Sequence, residues 1–197
     1  MTPPSAEVAA IVLAGGQARR FGSDKLAADV DGRSLLQIAL DGLPDDWRVA
    51  VVGPRRQVVR EVAFLREDPP GGGPAAGLIT GLIWALATGV ESIVTMPGDA
   101  TGGGRAAVLL RAALAGQEPD AVVGVDGSGR DQVLQLALRP SAARVLVELA
   151  GPERGHDQSV RRLVTRLSPT RLALPDDLCA DIDTVDQLRH FRNLGRT

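Results

Sequence analysis

Short apolar runs recur along the chain at residues 8–14, 49–52, 92–96, 121–125 and 134–138, each of strand length. Their apolar character is continuous rather than alternating, as expected of strands covered on both faces, such as those of parallel sheets flanked by helices. Between and after them lie segments of helical period at 35–43, 77–88, 105–114, 141–150, 159–167 and 185–194. This alternation predicts an α/β protein: a single-domain, Rossmann-like fold with a mostly parallel central sheet and helices on both faces. Residues 1–197 are expected to form one domain, with 1–6 as a flexible start. In such sheets ligands bind beyond the carboxyl ends of the strands, so the loops that follow the apolar runs are where chemistry is expected.

Composition narrows this only modestly. Hydrophobic residues make up 44% and charged residues 23%, but aromatics only 3% with no Tyr, so the core must be built from Ala, Val, Leu and Ile. A net charge of −2 gives no global basic field for nucleic acid or an anionic membrane, and neither is expected as a partner. The apolar run at 8–14 is preceded by Glu7 without basic residues, unlike a secretory signal, and no stretch approaches the roughly 20 apolar residues of a membrane span. The single Cys179 cannot form an internal disulfide and reads as a small packed hydrophobe, which suits a reducing, cytoplasmic setting. His156 and His190 lack spaced partners and read as structural or exposed.

The most informative segment is LAGGQARRFGSDK, residues 13–25, which begins where the first apolar run ends. Consecutive glycines let the backbone turn sharply and bring its N–H groups close to anionic oxygens. Arg19, Arg20 and Lys25 add cationic phosphate donors in the same loop. The spacing is neither the GxxxxGKS/T phosphate loop nor the GxGxxG dinucleotide fingerprint.

The segment instead resembles LAGGxSxRMGxDK, the pattern of the molybdenum cofactor guanylyltransferases within the nucleotidyltransferase superfamily. That resemblance implies a nucleotidyltransferase fold. It also implies a nucleotide-phosphate site at Leu13, Ala14, Gly15, Gly16, Arg20 and Lys25, with Arg20 and Lys25 neutralising the triphosphate. Relatives that use cytidine nucleotides tend toward LAAG, so Gly15-Gly16 points to GTP.

Later segments extend the likeness. REDPPGGGPAAGL, residues 66–78, resembles the family's D-x(n)-GPLAG loop, which places Asp68, Gly73 and Gly77 against base and ribose, with Pro74 matching the pattern. The run at 92–96 leads into PGDAT, where Asp99 stands directly after a buried strand. A carboxylate there suits Mg2+, a hard ion usually held by one or two carboxylates plus substrate phosphates. The family's comparable segment is CDTP or DMPF; the aspartate is kept and the following proline is replaced by Ala100.

ADIDTVDQL, residues 180–188, resembles NxNTPEDL or DIDTPEDL, implying Asp183 as the second metal ligand with Asp181 beside it. Thr184 and Gln187 have the spacing of a helix capping box. The DID form is more typical of cytidylyltransferases, so the base, GTP or CTP, stays open.

DGSGRDQVLQ, residues 126–135, resembles the acceptor-side DGRxHPLxA, placing Asp131 and Gln132 in a polar clamp, and the SVRRL segment offers Arg161 and Arg162 to the acceptor's phosphate. The activity implied by the resemblance is transfer of GMP from GTP to the phosphate of molybdopterin, with Mg2+ as cofactor and Lys25, Arg20 and Asp99 as catalytic groups. The same resemblance allows transient contact with other cofactor-biosynthesis or acceptor enzymes. Two alternatives stand beside it: a cytidylyl or other nucleotidyl transfer to a phosphorylated small molecule, and a catalytically silent nucleotide-binding module.

Overall fold

The structure is a computed structural model that describes residues 7–16, 24–115, 119–182, 184, 187 and 188. Its frame is a seven-stranded sheet in the order β5-β4-β1-β6-β8-β7-β9. β1 (Val8–Leu13) lies inside it, parallel to β4 (Arg48–Val52) on one side and to the central β6 (Ser92–Pro97) on the other. β5 (Ala63–Leu65) extends the parallel set beyond β4. On the other side β8 (Asp131–Leu138) runs antiparallel to β6 and β7 (Ala121–Val125), and β9 (Thr170–Ala173) pairs parallel with β7. A separate two-residue hairpin, β2 (Asp29–Val30) with β3 (Arg33–Ser34), turns through Asp31 and Gly32, both at positive φ.

β1 shows why its run is apolar without alternation. Ala10 and Val12 join one core cluster with Leu35, Leu36 and Leu40 of α1 (Leu35–Asp41) and Ala107 and Leu110 of α3 (Gly103–Ala113). Ala9 and Ile11 join the opposite cluster with Leu78, Ile79 and Leu82 of α2 (Gly73–Ala87), Leu146 of α4 (Pro140–Ala150) and Leu163 of α5 (Val160–Thr165). Successive side chains of a strand point to opposite faces, so covering both faces requires every position to be apolar. Full burial of a side chain such as Ile11 is worth about 1.5–3 kcal/mol.

The predicted runs all appear as strands and the first five predicted helices as helices, with boundaries moved for local reasons. Helix α2 starts at Gly73, so the Gly/Pro loop is shorter than the composition suggests, because Pro is accommodated in a first helical turn where its missing N–H costs nothing. Helix α3 likewise takes up Gly103 and Gly104; a Cβ on Gly104 would meet the Gly42 backbone, so α3 can pass close to the end of α1 only with glycine there. β8 begins at Asp131 rather than at residue 134, since pairing of Asp131 and Gln132 with β7 recruits polar residues that carry no apolar signal. β5, β9 and the β2–β3 hairpin are too short or too polar to stand out as runs. Of the sixth predicted helix, Gln187 and Leu188 are helical and the rest lies outside the described residues. The capping box is present: Gln187 N–H donates to Thr184 Oγ1 at 3.2 Å and Thr184 N–H donates to Gln187 Oε1 at 2.9 Å.

From β1 the chain passes to β4 and β5 on one side and then returns to β6 on the other. The order therefore reverses between β1 and β6, and the crevice outside their carboxyl ends is the topological switch point where open α/β sheets bind ligands.

Candidate functional site

Four strand ends are tied at one level around this crevice. Ala14 N–H donates to the Val52 carbonyl at 2.8 Å, Gly98 N–H to the Leu13 carbonyl at 2.9 Å, and Gly53 N–H to the Leu65 carbonyl at 2.8 Å. Gly53 adopts φ +149°, and a Cβ there would fall 2.5 Å from the Ala14 carbonyl oxygen, so the segments after β1 and β4 approach more closely than any side chain would permit. Gly15 and Gly16 emerge exposed from this tie. Gly77, on the second turn of α2, is buried; a Cβ there would lie 3.6 Å from Leu13 Cδ2 and 3.7 Å from Val52 Cγ1. Gly73 and Asp68 are exposed at the start of α2 and just before it.

Lys25 and Asp99 meet at this end of the sheet. Asp24 caps a single turn of 3₁₀ helix (Lys25–Ala27), its Oδ1 accepting from Leu26 N–H at 3.2 Å, and this turn presents Lys25. Asp99 follows β6 by way of Pro97 and Gly98. Lys25 Nζ lies 2.6 Å from Asp99 Oδ2, with the two side chains 13% and 23% exposed. Asp99 is not the cap of the next helix, whose N-cap is Gly102, so its carboxylate is spent on Lys25 rather than on backbone amides.

The segment carrying the second predicted ligand runs alongside. Ala100 forms an antiparallel bridge with Asp181, and Ile182 N–H donates to the Asp99 carbonyl at 3.3 Å. Asp183 and Arg20 lie outside the described residues.

Mg2+ fits this donor set in kind. The Asp99 carboxylate at the strand end offers hard oxygen donors and is partly exposed, although one of its oxygens is paired with Lys25. Among the described residues there is no group of three or more His, Cys, Asp or Glu that would make a protein cage.

The acceptor-side residues divide. Asp131 accepts from Arg171 Nε at 2.8 Å and lies 3.9 Å from an Arg161 guanidinium nitrogen, while Arg161 also donates to the Asp131 carbonyl at 3.3 Å. Asp131, Arg161 and Arg171 are therefore one cluster. Gln132 is directed to Asp126, donating through Nε2 at 2.7 Å. The Asp126 carboxyl is held below its usual range, first by the Ser128 hydroxyl and then by the Arg130 amide, which braces the β7–β8 turn. Arg162 is exposed on α5, its backbone N–H donating to the Ser159 capping hydroxyl. His156 packs against Gly72 at the entrance to α2, with a buried Nε2.

Two arginines escaped the sequence reading. Arg171 sits on β9, whose short TRLA stretch gives no strand signal. Arg56 follows β4; it donates through Nε to Asp24 Oδ2 at 2.8 Å, and through Nη1 to the Ala14 carbonyl at 3.0 Å and the Pro54 carbonyl at 3.2 Å. The loop after the apolar run at 49–52 is where the strand-end rule directs attention, and that rule would have found Arg56.

Residues 10–170 match the family model described as a MobA-like NTP transferase domain. The chain belongs to that family. Among curated relatives, a molybdenum cofactor guanylyltransferase from Cereibacter sphaeroides is 35% identical over 94 residues, which is 45% of this chain and 48% of that protein. One from Shewanella sp. (strain MR-4) is 28% identical over 144 residues, covering 70% of this chain and 71% of that protein. The chain spans about half the length of the first curated relatives it matches.

Among solved structures, molybdopterin-guanine dinucleotide biosynthesis protein A from Archaeoglobus fulgidus superposes with a TM-score of 0.68 at 20% identity, covering 95% of this chain and 98% of that one. Rv0371c from Mycobacterium tuberculosis gives a TM-score of 0.70 at 20% identity over 96% of this chain and 99% of that one. At these identities the likeness establishes the fold. Within the MobA-like NTP transferase domain, then, this chain carries a seven-stranded mixed sheet with Lys25 and Asp99 joined at its switch point. No described helix is long and apolar enough to cross a membrane.

Proposed function

We propose that this chain is a Mg2+-dependent nucleotidyltransferase that transfers GMP from GTP to the terminal phosphate of molybdopterin and releases pyrophosphate. The observation that carries the reading is the pairing of Lys25 with Asp99 at the switch point, beside the glycines that follow β1. Family membership and the names of the curated relatives support the same activity.

The chemistry asks for positioning rather than proton abstraction. An acceptor phosphate oxygen already carries negative charge near neutral pH. It attacks the α-phosphorus in line; a new P–O bond forms, the bond from the α-phosphorus to the bridging oxygen breaks, and pyrophosphate leaves with that electron pair. The backbone amides of Gly15 and Gly16 hold the triphosphate, and Lys25, together with Arg20, offsets the charge that grows on the leaving pyrophosphate. Asp99, with Asp183, would hold Mg2+, which when bound neutralises phosphate charge and acts as a Lewis acid. Arg161 and Arg171, joined on Asp131, retain a net positive charge suited to an acceptor phosphate.

Gly15-Gly16 favours guanine, whereas the DID segment at 181–183 favours a second reading, cytidylyl transfer to the same acceptor. Thermal shift with Mg2+ and each of GTP, CTP, ATP and UTP, followed by pyrophosphate release with molybdopterin, separates them. GTP-selective stabilisation with turnover supports the proposal; CTP selectivity supports the second reading; stabilisation without turnover on any acceptor indicates a silent module.

A further inference from the structure

We infer that Arg56 is a positioning residue that clasps the two stems of the glycine-rich segment and so sets Lys25 where the nucleotide's phosphates need it; this rests on the nucleotidyl-transfer reading above. Residues 15–23 run between Ala14 and Asp24. One guanidinium reaches both ends: Nε to the Asp24 carboxylate at 2.8 Å and Nη1 to the Ala14 carbonyl at 3.0 Å, across 32 and 42 positions of sequence. The same Nη1 holds its own loop through the Pro54 carbonyl at 3.2 Å.

The Arg56 side chain is only 9% exposed, whereas Asp24 is 46% exposed. A surface ion pair of ordinary kind contributes little, but a nearly buried guanidinium divided among three oxygens has one geometry. Arginine's rigid fork supplies it with less loss of freedom than the flexible ammonium of lysine. Neighbouring contacts anchor the clasp to the sheet: Arg55 stacks over Phe64 of β5 at 5.3 Å from the ring centroid, and Gly53 lies against Ala14.

The link to chemistry is short. Asp24, which Arg56 holds, is the N-cap of the turn that begins with Lys25, and Lys25 contacts Asp99. Releasing the Asp24 carboxylate would loosen the cap and let Lys25 wander, and a misplacement of about 1 Å in a positioning group can cost on the order of 100-fold in rate. Arg56 itself donates to protein oxygens within the clasp, so its effect should fall on the nucleotide side of the reaction and spare the acceptor side.

The experiment compares wild type, Arg56→Ala, Arg56→Lys, Asp24→Asn and the double variant Asp24→Asn/Arg56→Ala. Steady-state kinetics are varied separately in GTP and in molybdopterin, and binding of a fluorescent GTP analogue is measured with Mg2+. Expected for Arg56→Ala is a loss of about 100-fold in kcat/KM for GTP, with the KM for acceptor unchanged, weaker analogue binding, and partial recovery on adding free guanidinium. Arg56→Lys should fall between. The double variant should be no worse than Arg56→Ala, since both changes open one clasp.

A wild type that turns over GTP, with an Arg56→Ala variant equal to it in both KM values and kcat, overturns the inference and leaves the functional reading intact. Losses in Asp24→Asn and Arg56→Ala that simply add also overturn it. A wild type that neither binds the analogue nor releases pyrophosphate removes the functional reading and the inference with it. Should Arg56→Ala fail to fold, Arg56→Lys decides by the same split between the two KM values.

Discussion

Lys25 Nζ sits 2.6 Å from Asp99 Oδ2, which pairs the cation that the proposed function assigns to the triphosphate with the carboxylate that it assigns to the metal. On the proposed function this contact would be exchanged when metal and nucleotide bind, Asp99 to the metal and Lys25 to phosphate. Such an exchange would couple the two ligands, because the charge that each partner of the pair gives up would be replaced by a ligand charge of the same sign.

Lys25→Met should consequently move metal and turnover in opposite directions. Turnover with GTP is expected to fall by about 100-fold or more, as on removing a preorganised donor to developing charge. Binding of Mg2+ without nucleotide, followed by calorimetry, should tighten because Asp99 no longer has an ammonium to give up. Weaker Mg2+ binding by this variant would contradict the coupling.

Asp99→Asn keeps the shape of the side chain and removes its charge. Metal-dependent pyrophosphate release is expected to be abolished while the fold is retained, with the thermal midpoint lowered only by the loss of the Lys25 ion pair because Asp99 caps no helix. Undiminished product formation would exclude Asp99 as the metal ligand.

The Asp131 cluster predicts an effect on the acceptor side. Arg171→Ala and Arg161→Ala should each raise the KM for molybdopterin about 10-fold, a loss of roughly 1.4 kcal/mol, with the KM for GTP unchanged. A raised KM for GTP instead would detach this cluster from the acceptor.

Asp24 links the clasp to acid stability. Burial by itself raises its carboxyl, but the Arg56 hydrogen bond and charge and the Leu26 and Ala27 amides outweigh that, so the folded-state value lies below 3.8. A depressed carboxyl contributes stability that is present above its unfolded value and is lost as pH falls through the folded one. Compared with Asp24→Asn, wild type should therefore show an added loss of stability only below about pH 4, measurable as a steeper fall of the urea midpoint between pH 4 and 2. The margin is small for a group this exposed, and an equal slope in both proteins would deny the linkage.

Cys179 gives a chemical readout free of overlap, being the only cysteine in the chain. Burial and then the charges of Asp126, Asp176, Asp181 and Asp177 push its thiol up to about 11. Its thiolate is the reactive form, so alkylation by iodoacetamide, followed by mass spectrometry, should be slow at pH 7.5. The rate should rise close to 10-fold per pH unit up to at least pH 10. A rate that levels off by pH 10 would disprove the shift.

How far the sequence determines this protein can be judged from particular residues. Continuous apolar runs such as that of β1 announce a two-sided sheet, because burial on both faces is a property of each position, and Gly15-Gly16 and Asp99 are legible because they stand immediately after such runs. Thr184 and Gln187 cap as their spacing requires, since a capping box is completed within four residues. The antiparallel β8 inserted between β6 and β7, the joining of Lys25 to Asp99, the Asp131–Arg171 pair and the reach of Arg56 to Ala14 and Asp24 were decided only by the tertiary structure. Each depends on which strands become neighbours, and local sequence pattern, which records period and polarity over a few residues, carries no term for a contact formed across tens of positions.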